Sequence, residues 1–175
     1  MVPPSLRTAR LCIRALTPAD APFIVALLND PAFVRNIGDR GVRTEADAQA
    51  YLAGGPLASY ARHDFGLCAV ELGDGAVPIG ICGLLQRDEL PAPDIGFAYL
   101  PEYRSRGYAF EAAVAVKGYA HNVLGIDTLL AIVNPDNEAS IRLLAKLGFV
   151  YERVFRLAAD AKALSLYAAS APRLW

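Results

Sequence analysis

The chain has 175 residues, of which 54% are hydrophobic and 20% are charged, and its formal net charge is -1. This length suits one compact domain with a substantial core, and the near-neutral charge excludes a disordered tail and a general nucleic-acid binder. Because the first residues lack the apolar core of a signal peptide and no apolar run is long enough to span a membrane, we expect a single cytoplasmic domain over residues 1–175, with no membrane partner.

The first predicted elements are a strand and a helix. Residues 11–16 (LCIRAL) alternate enough for a strand. Thr17 suits a helix N-cap, with Pro18 at the first helical position and Asp20 three residues after the cap. The helix that they open should run to about Leu28.

A second helix is predicted after an irregular polar segment at residues 29–43. Thr44 and Asp47 repeat the capping pattern of a helix start. The glycine and proline residues at 54–56 should interrupt this helix, because both residue types disfavour a helix interior.

Three strands are predicted in the middle of the chain. Residues 65–72 (FGLCAVEL) and 78–85 (PIGICGLL) are joined by Gly73-Asp74-Gly75, a strong hairpin signal. Residues 94–100 (DIGFAYL) form the fourth predicted strand. This strand leads directly into residues 101–112 (PEYRSRGYAFEA).

The following segment predicts a helix and a fifth strand. A helix from Glu111 to Leu124 is indicated by an apolar stripe at steps of four, three and four, formed by Ala112, Val116, Tyr119 and Val123. Residues 128–133 (TLLAIV) form the strand. Because a helix links the fourth and fifth strands, these two should be parallel.

The last segment predicts a helix and a closing hairpin. The sequence Asn134-Pro135-Asp136-Asn137 precedes a helix that should bury Ile141, Leu144 and Leu147 and stop at Gly148. Residues 149–157 and 163–169 can close the sheet around Ala158-Ala159-Asp160. The order β-α-α-β-β-β-α-β-α-β-β predicts an α/β (α+β) fold, with a mixed sheet and helices on both faces.

The turn after the fourth strand has the features of an anion site. Main-chain N–H groups around Gly107 lack intrahelical acceptors and should point outward together. Glycine permits close approach, the small Ala109 keeps the next turn open, and Arg104 and Arg106 add charge where the helix dipole favours an anion. An ordinary loop with solvated arginines fits the same string. The spacing matches neither a Walker loop nor a dinucleotide fingerprint.

Two motifs resemble the GNAT superfamily of acyl-CoA-dependent N-acetyltransferases. The stretch Arg104-Ser105-Arg106-Gly107-Tyr108-Ala109 matches the [Q/R]-x-x-G-x-[G/A] diphosphate loop of that superfamily. Residues 134–140 (NPDNEAS) and 143–149 (LLAKLGF) are similar to the N-x-x-N-x-x-S … K-L-G-F segment of the branch that acetylates protein N-termini, including those of ribosomal proteins. The opening RTARLCIRALTPAD is also similar to that branch, so the resemblance covers roughly residues 6–157.

The resemblance implies the GNAT fold, in which a mixed, mostly antiparallel sheet of about six to seven strands splays between its fourth and fifth strands. It implies acetyl-CoA as co-substrate and no metal. The implied cofactor-binding residues lie on the fourth strand, the diphosphate loop and the later motif: Phe97, Ala98, Tyr99, Leu100, Arg104, Ser105, Arg106, Gly107, Tyr108, Ala109, Asn134, Asn137, Ser140 and Lys146.

The resemblance also implies an acid for the departing thiolate. Many relatives use a tyrosine, but this chain has Leu144 at that position. The branch match implies that Ser140 replaces it, directly or through a water, while Asn134 and Asn137 bond the cofactor or steer its arm. The alternative is that Asn137 only caps the helix and Ser140 only satisfies its first turn. The two roles are compatible.

The candidate base is Asp94, where relatives often carry a glutamate; the alternative is a strand-end carboxylate that faces water. A main-chain N–H within Phe97–Tyr99 is implied to polarise the thioester carbonyl.

Because an α-amine has a pKa near 7.8 and lysine one near 10.4, a weak base favours an α-amine as the acceptor. Arginines at 35, 40 and 43 fit either an acidic acceptor or a solvated loop.

We therefore expect an acetyl-CoA-dependent N-acetyltransferase, a monomer or homodimer, that acts on a protein or peptide N-terminal α-amine. One alternative acceptor is a small amine, such as an antibiotic, a polyamine or an amino acid. A further alternative is a non-catalytic acyl-CoA sensor, which the missing tyrosine favours. The resemblance implies direct transfer without an acyl-enzyme, and the cysteines support this only negatively, since Cys12, Cys68 and Cys82 lie outside both motifs.

Overall fold

The computed structural model of the chain describes residues 2–73 and 76–171. Its strands are β1 (Leu6–Arg7), β2 (Leu11–Ala15), β3 (Leu67–Leu72), β4 (Pro78–Leu85), β5 (Asp94–Tyr99), β6 (Thr128–Val133), β7 (Val150–Phe155) and β8 (Leu164–Ser170). Its α-helices are α1 (Ala21–Leu28), α2 (Pro31–Asn36), α3 (Glu45–Leu52), α4 (Ala58–His63), α5 (Tyr108–Asn122) and α6 (Glu138–Lys146).

All eight strands join one sheet in the order β1-β2-β3-β4-β5-β6-β8-β7. Every neighbouring pair is antiparallel except β5 and β6, so the predicted mixed, mostly antiparallel sheet is confirmed. The strand count is one above the predicted upper figure of seven because of β1. This two-residue strand forms where Thr8 N–H donates to the Leu11 carbonyl at 3.0 Å and turns the chain back, and it is too short to show a periodic pattern.

The sheet opens between β5 and β6, as predicted. These parallel strands pair only at Asp94 and Leu130, next to a hydrogen bond from Leu130 N–H to the Pro93 carbonyl at 2.9 Å. On its other side, β5 pairs with β4 from Asp94 to Tyr99. The strand therefore has one paired edge and one edge that is open beyond Asp94.

Helices cover both faces of the sheet, which confirms the predicted layering. On one face, α5 and α6 bury Ala112, Val116 and Leu144 against the sheet. On the other, α1 and α3 bury Ile24 and Leu52 in a second apolar cluster. The first helix thus carries its hydrophobic side chains to one face and α5 carries its own to the opposite face.

The apolar stripe predicted for α5 is wrong at its C-terminal end. Ala112 and Val116 are buried and Tyr119 is half-buried, but Val123 is 66% exposed. The helix begins at Tyr108, before the predicted Glu111, and ends at Asn122. Val123 follows the helix end and is no longer in register with the buried face.

The interruption predicted at residues 54–56 takes the form of a π-helical stretch, Ala53–Leu57, that joins α3 to α4 without a gap. The predicted cap of α3 is confirmed, since Asp47 N–H donates to Thr44 Oγ1 at 3.1 Å. The segment expected to be irregular contains α2. Pro31 occupies its first turn, and Phe33 N–H donates to Asp30 Oδ2 at 3.0 Å.

The two predicted hairpins differ in how much of each is described. β7 and β8 are antiparallel neighbours, as predicted. β3 and β4 are also antiparallel, but Asp74 and Gly75 of the predicted turn lie outside the described residues. Within the part of the chain that is described, no helix is both long and apolar enough to cross a bilayer.

Candidate active site

A cavity of about 140 Å³ lies where β5 and β6 separate. Its walls include the start of β5, the end of β6, the C-terminal end of α2 and the first turns of α6. Four polar residues singled out in the sequence line it together: Asp94, Asn134, Asn137 and Ser140. Leu144 lines it as well, so an apolar side chain occupies the position where many relatives carry the tyrosine acid.

The predicted diphosphate loop ends in a left-handed residue at the start of α5. Gly107 has φ 82° and is the N-cap of this 15-residue helix. Ser105 is also left-handed, with φ 59°. The first N–H groups of α5 have no intrahelical acceptor, and the helix dipole adds a positive potential there. This geometry fits an anionic group close to the main chain at Gly107.

Arg10 supports this loop from the start of the chain. Its Nη1 donates to the Arg106 carbonyl at 3.0 Å, its Nε donates to Glu111 Oε2 at 2.6 Å, and its guanidinium stacks 4.5 Å from the centroid of the Tyr108 ring. Thr8 Oγ1 donates to Glu111 Oε1 at 2.6 Å. Sequence reasoning missed this role, although Arg10 lies in the N-terminal stretch that carries part of the family resemblance.

The environment of Glu111 favours its charged form. Partial burial alone would raise the pKa of this carboxyl, but hydrogen bonds from Thr8 and Arg10 lower the pKa below its usual value. Glu111 therefore remains an anion that fixes the Arg10 guanidinium against the loop. The role of Glu111 at this loop is therefore structural.

The two arginines of the loop have different surroundings. Arg104 Nε donates to the Tyr99 carbonyl at 2.9 Å, and Arg104 Nη2 forms an ion pair with Asp30. The positive charge of Arg104 is thus compensated by Asp30, the N-cap residue of α2. Arg106 is exposed, and within the described ranges no side chain pairs with it. Arg106 is thus the loop cation that remains available to a ligand.

The open edge of β5 presents two main-chain N–H groups to the gap. Leu100 N–H donates to the Ile79 carbonyl at 2.9 Å, toward β4. Because main-chain groups alternate between the two edges along a strand, Ala98 also faces β4, whereas Phe97 and Tyr99 face the gap. Of the three residues whose N–H group is predicted to polarise the thioester carbonyl, Phe97 and Tyr99 thus direct that group to the gap. Phe97 also lines the cavity.

Asp94 is a buried carboxylate, only 1% exposed, so the interpretation that it faces water is wrong. Arg87 Nε donates to Asp94 Oδ1 at 2.9 Å. Burial raises the pKa of Asp94, and the nearby charge of Arg87 opposes this without cancelling it. A carboxylate with a raised pKa accepts a proton more readily than an exposed one. Arg87 gave no sequence signal, because its contact with Asp94 depends on the turn between β4 and β5.

The asparagine and serine residues occupy the turn that opens α6. Ser140 N–H donates to Asn137 Oδ1 at 3.3 Å, so the predicted cap is confirmed. Asn134 is 3% exposed, and its Oδ1 accepts from Asp136 N–H at 3.1 Å. No hydrogen bond of the Ser140 hydroxyl occurs within residues 2–73 and 76–171. That hydroxyl lines the cavity and is free to act on a ligand.

The other titratable candidates lie away from this cavity. Lys146 is exposed at the C-terminal end of α6, about 9 Å along the helix axis from Ser140. Cys68 and Cys82 are buried, and burial raises the pKa of Cys68 to about 11. Cys12 is on β2 and does not line the cavity. Among the described residues, no group of three or more His, Cys, Asp or Glu side chains is placed to hold a metal ion.

Comparison with known proteins gives consistent matches over most of the chain. Residues 10–150 match the family model of the acetyltransferase (GNAT) domain. The chain is 33% identical over 157 residues to the uncharacterized N-acetyltransferase YoaA of Bacillus subtilis (strain 168), with 87% of this chain and 86% of that protein covered. An acetyltransferase structure from Agrobacterium tumefaciens has a TM-score of 0.81 at 25% identity, with 98% of this chain and 96% of the other covered.

One further solved structure has a similar fold at lower sequence identity. The ribosomal L7/L12 α-N-protein acetyltransferase RimL, in complex with coenzyme A, has a TM-score of 0.82 at 15% identity. The match covers 95% of this chain and 98% of that chain. At this identity the likeness concerns the fold alone.

Proposed function

The chain belongs to the GNAT family of acetyl-CoA-dependent acetyltransferases, and on this basis we propose that it acetylates the N-terminal α-amine of a protein or peptide by direct attack. The observation that carries the proposal is the cavity between β5 and β6. A buried carboxylate and an unpaired hydroxyl meet there beside an open strand edge. These are the groups that a proton-coupled acyl transfer requires.

Main-chain groups provide most of the proposed cofactor site. The N–H groups at the start of α5 around Gly107 suit a diphosphate, with Arg106 supplying a free positive charge. Phe97 and Tyr99 on the open edge of β5 suit the amide groups of a pantetheine arm, which can bond as an added strand would. Asn134 and Asn137 flank the inner end of this path.

The proposed chemistry assigns one role to each polar group. Asp94 accepts the proton of the attacking amine, directly or through a water. The Phe97 N–H donates to the thioester oxygen as negative charge develops on it. Ser140 passes a proton to the departing thiolate and regains one from solvent water, and Asp94 returns the proton of the amine to the solvent, so that both side chains end the reaction in their starting states. Holding amine and thioester together supplies much of the acceleration, since well-oriented pairs reach effective molarities of about 10⁵–10⁸ M.

The proposed class of acceptor rests on the free energy needed to deprotonate the amine. Deprotonation at pH 7 costs about 4.6 kcal/mol for a lysine of pKa 10.4, and about 1 kcal/mol for an α-amine near 7.8. Among the described residues that line the cavity, Asp94 is the one carboxylate. A single carboxylate with a raised pKa suits the smaller of these costs, which supports an α-amine as the acceptor.

The proposal is tested by thiol release from acetyl-CoA with matched acceptors. Peptides with a free α-amine are compared with N-blocked peptides that contain one lysine, and with spermidine, single amino acids and an aminoglycoside. We expect the free α-amine peptides to have the highest kcat/KM. We also expect Ser140→Ala to lower kcat by about 100-fold or more with little change in acetyl-CoA affinity. Ser5→Ala, at an exposed serine outside the cavity, is the control.

Three outcomes would each contradict a different part of the proposal. Faster turnover of a small amine than of every peptide would support a small-molecule acetyltransferase. Tight binding of acetyl-CoA without turnover of any amine would support a non-catalytic acyl-CoA sensor. A kcat that is the same in Ser140→Ala and in the wild type would remove the serine from the proposed chemistry.

A further inference from the structure

A second cavity, of about 310 Å³, adjoins the proposed acetyl-transfer site. It lies between the α3–α4 region and the end of β4, and we call it the arginine cavity. Arg40 and Arg87 line both cavities. Because Arg87 also binds Asp94, a molecule that extends from the candidate base toward β4 enters the arginine cavity.

The lining of the arginine cavity is cationic. It includes Arg40, Arg62 and Arg87, together with His63 and the partly buried Tyr51, and no carboxylate is among the described residues that line it. Arg87 has an anionic partner in Asp94. Neither Arg40 nor Arg62 has a hydrogen-bonding or ionic partner in the described portion of the chain. Two guanidinium groups thus face a concave surface with their positive charge uncompensated.

Arg43, which lies in the same loop as Arg40, differs from it in having partners that compensate its charge. Arg43 Nη2 donates to Asp39 Oδ2 and Arg43 Nη1 donates to Asn29 Oδ1, at 2.6 and 2.9 Å. Its charge is compensated locally, and it lines neither cavity. The arginines of this loop therefore differ in what they do: Arg43 stabilises the loop, whereas Arg40 is directed to the cavities.

The backbone of the wall leaves room for a ligand. Gly54 and Gly55 line the arginine cavity within the π-helical stretch, and a Cβ at either position would meet no heavy atom within 4 Å. A π-helical turn in an α-helix often marks a functional site. Burial raises the pKa of Tyr51, and the positive charges of Arg40 and Arg87, which line the same cavity, oppose that rise.

From these observations we propose that the arginine cavity binds a carboxylate of the acceptor, and that the preferred acceptor is a peptide with Asp or Glu within its first three residues. This inference rests on the proposed function, because it requires the amine to lie in the adjoining cavity. Arg40 and Arg62 supply charge-assisted hydrogen bonds to the carboxylate. Their contribution is to hold the acceptor, so it is expected in KM.

The first test compares peptides that differ in one side chain. Alanine peptides with Asp, Asn or Lys at position two or three are assayed at saturating acetyl-CoA. We expect the Asp peptide to have a KM about 10-fold below that of the Asn peptide, with similar kcat, and the Lys peptide to be poorest. The difference should shrink from about 20 mM to about 500 mM salt, because screening weakens exposed charges. Equal KM values at low salt would overturn the proposal.

The second test locates the effect on the protein. Arg40→Gln and Arg62→Gln should each remove most of the Asp-over-Asn preference, and Arg62→Lys should retain part of it. Arg43→Gln is the matched control and should keep the full preference. A preference that persists in the Arg40→Gln/Arg62→Gln double variant would refute the assignment to this cavity.

Calorimetry separates failure of this inference from failure of the proposed function. Binding of the Asp peptide is measured with the wild type and with the double variant, independently of turnover. Weaker binding in the double variant supports the carboxylate site even if no peptide is acetylated. Equal binding overturns the site even if the enzyme acetylates peptides. Turnover of glutamate or aspartate but not of peptides, with the same dependence on Arg40 and Arg62, would keep the carboxylate site and contradict the peptide acceptor.

Discussion

Replacing Gly107 with alanine should weaken cofactor binding by an amount that the backbone geometry fixes. Gly107 has φ 82°, in the left-handed region, where a residue with a Cβ costs about 1–2 kcal/mol. The new Cβ would also lie 3.3 Å from Arg10 Nη2. If the free loop relaxes to relieve this strain, binding must restore it. The dissociation constant for coenzyme A should therefore rise by about 5- to 30-fold.

A matched substitution separates loss of binding from loss of stability. Gly125 follows α5 and has φ 67°, and a Cβ at this position would meet no heavy atom within 4 Å. Gly125→Ala should lower the melting temperature by about 2–8 °C for a chain of this size, and Gly107→Ala should lower it by less, because relaxation of the loop relieves strain in the free protein. Only Gly107→Ala should weaken coenzyme A binding in calorimetry. Equal dissociation constants for the two variants would refute the assignment of the loop to the diphosphate.

Two further predictions concern ionised groups near the site. Asp94→Asn should lower kcat/KM by about 100-fold, and it should remove the part of the fall in rate at low pH that comes from protonation of Asp94, whose pKa is raised by burial. The part that comes from protonation of the acceptor amine should remain. Initial rates measured from acid to neutral pH test this, and an acidic limb as steep as that of the wild type would contradict it. Glu111→Gln should lower the free energy of unfolding by about 1 kcal/mol at neutral pH, after allowance for the exposure of Arg10. Because the folded-state pKa of Glu111 is lowered, this stabilisation is present above its unfolded pKa of about 4.3 and is lost in acid. Denaturant titrations should therefore show the free energies of unfolding of the wild type and of Glu111→Gln converging at low pH. A difference between them that stays constant with pH would contradict the charge-based explanation.

Features that depend on a short stretch of sequence were predicted well. The cap formed by Thr44 and Asp47 and the cap formed by Asn137 each depend on residues within one turn. The parallel pairing of β5 with β6 followed from the helix between them. In both caps the atoms that interact are close in the chain, so the pattern that predicts them is visible in one sequence.

Features that depend on distant contacts were not predicted. Arg10 and Glu111 are 101 positions apart, and Arg104 and Asp30 are 74 apart. Neither pair leaves a periodic signal. The position of Arg40 at both cavities depends on how the loop after α2 folds. The sequence therefore predicted the positions of the proposed cofactor loop and of the turn at α6, while the groups that support them depend on tertiary packing.

The gap beside β5 has a consequence for the stability of the whole chain. Beyond Asp94 the sheet is divided into two halves that share only one bridged pair of residues along this line. A ligand that bonds Phe97 and Tyr99 would act as a missing ninth strand and tie the halves together. Saturation at about 100 times the dissociation constant adds about 2.7 kcal/mol to the free energy of unfolding, so the lifetime of the folded protein becomes coupled to the supply of acyl donor.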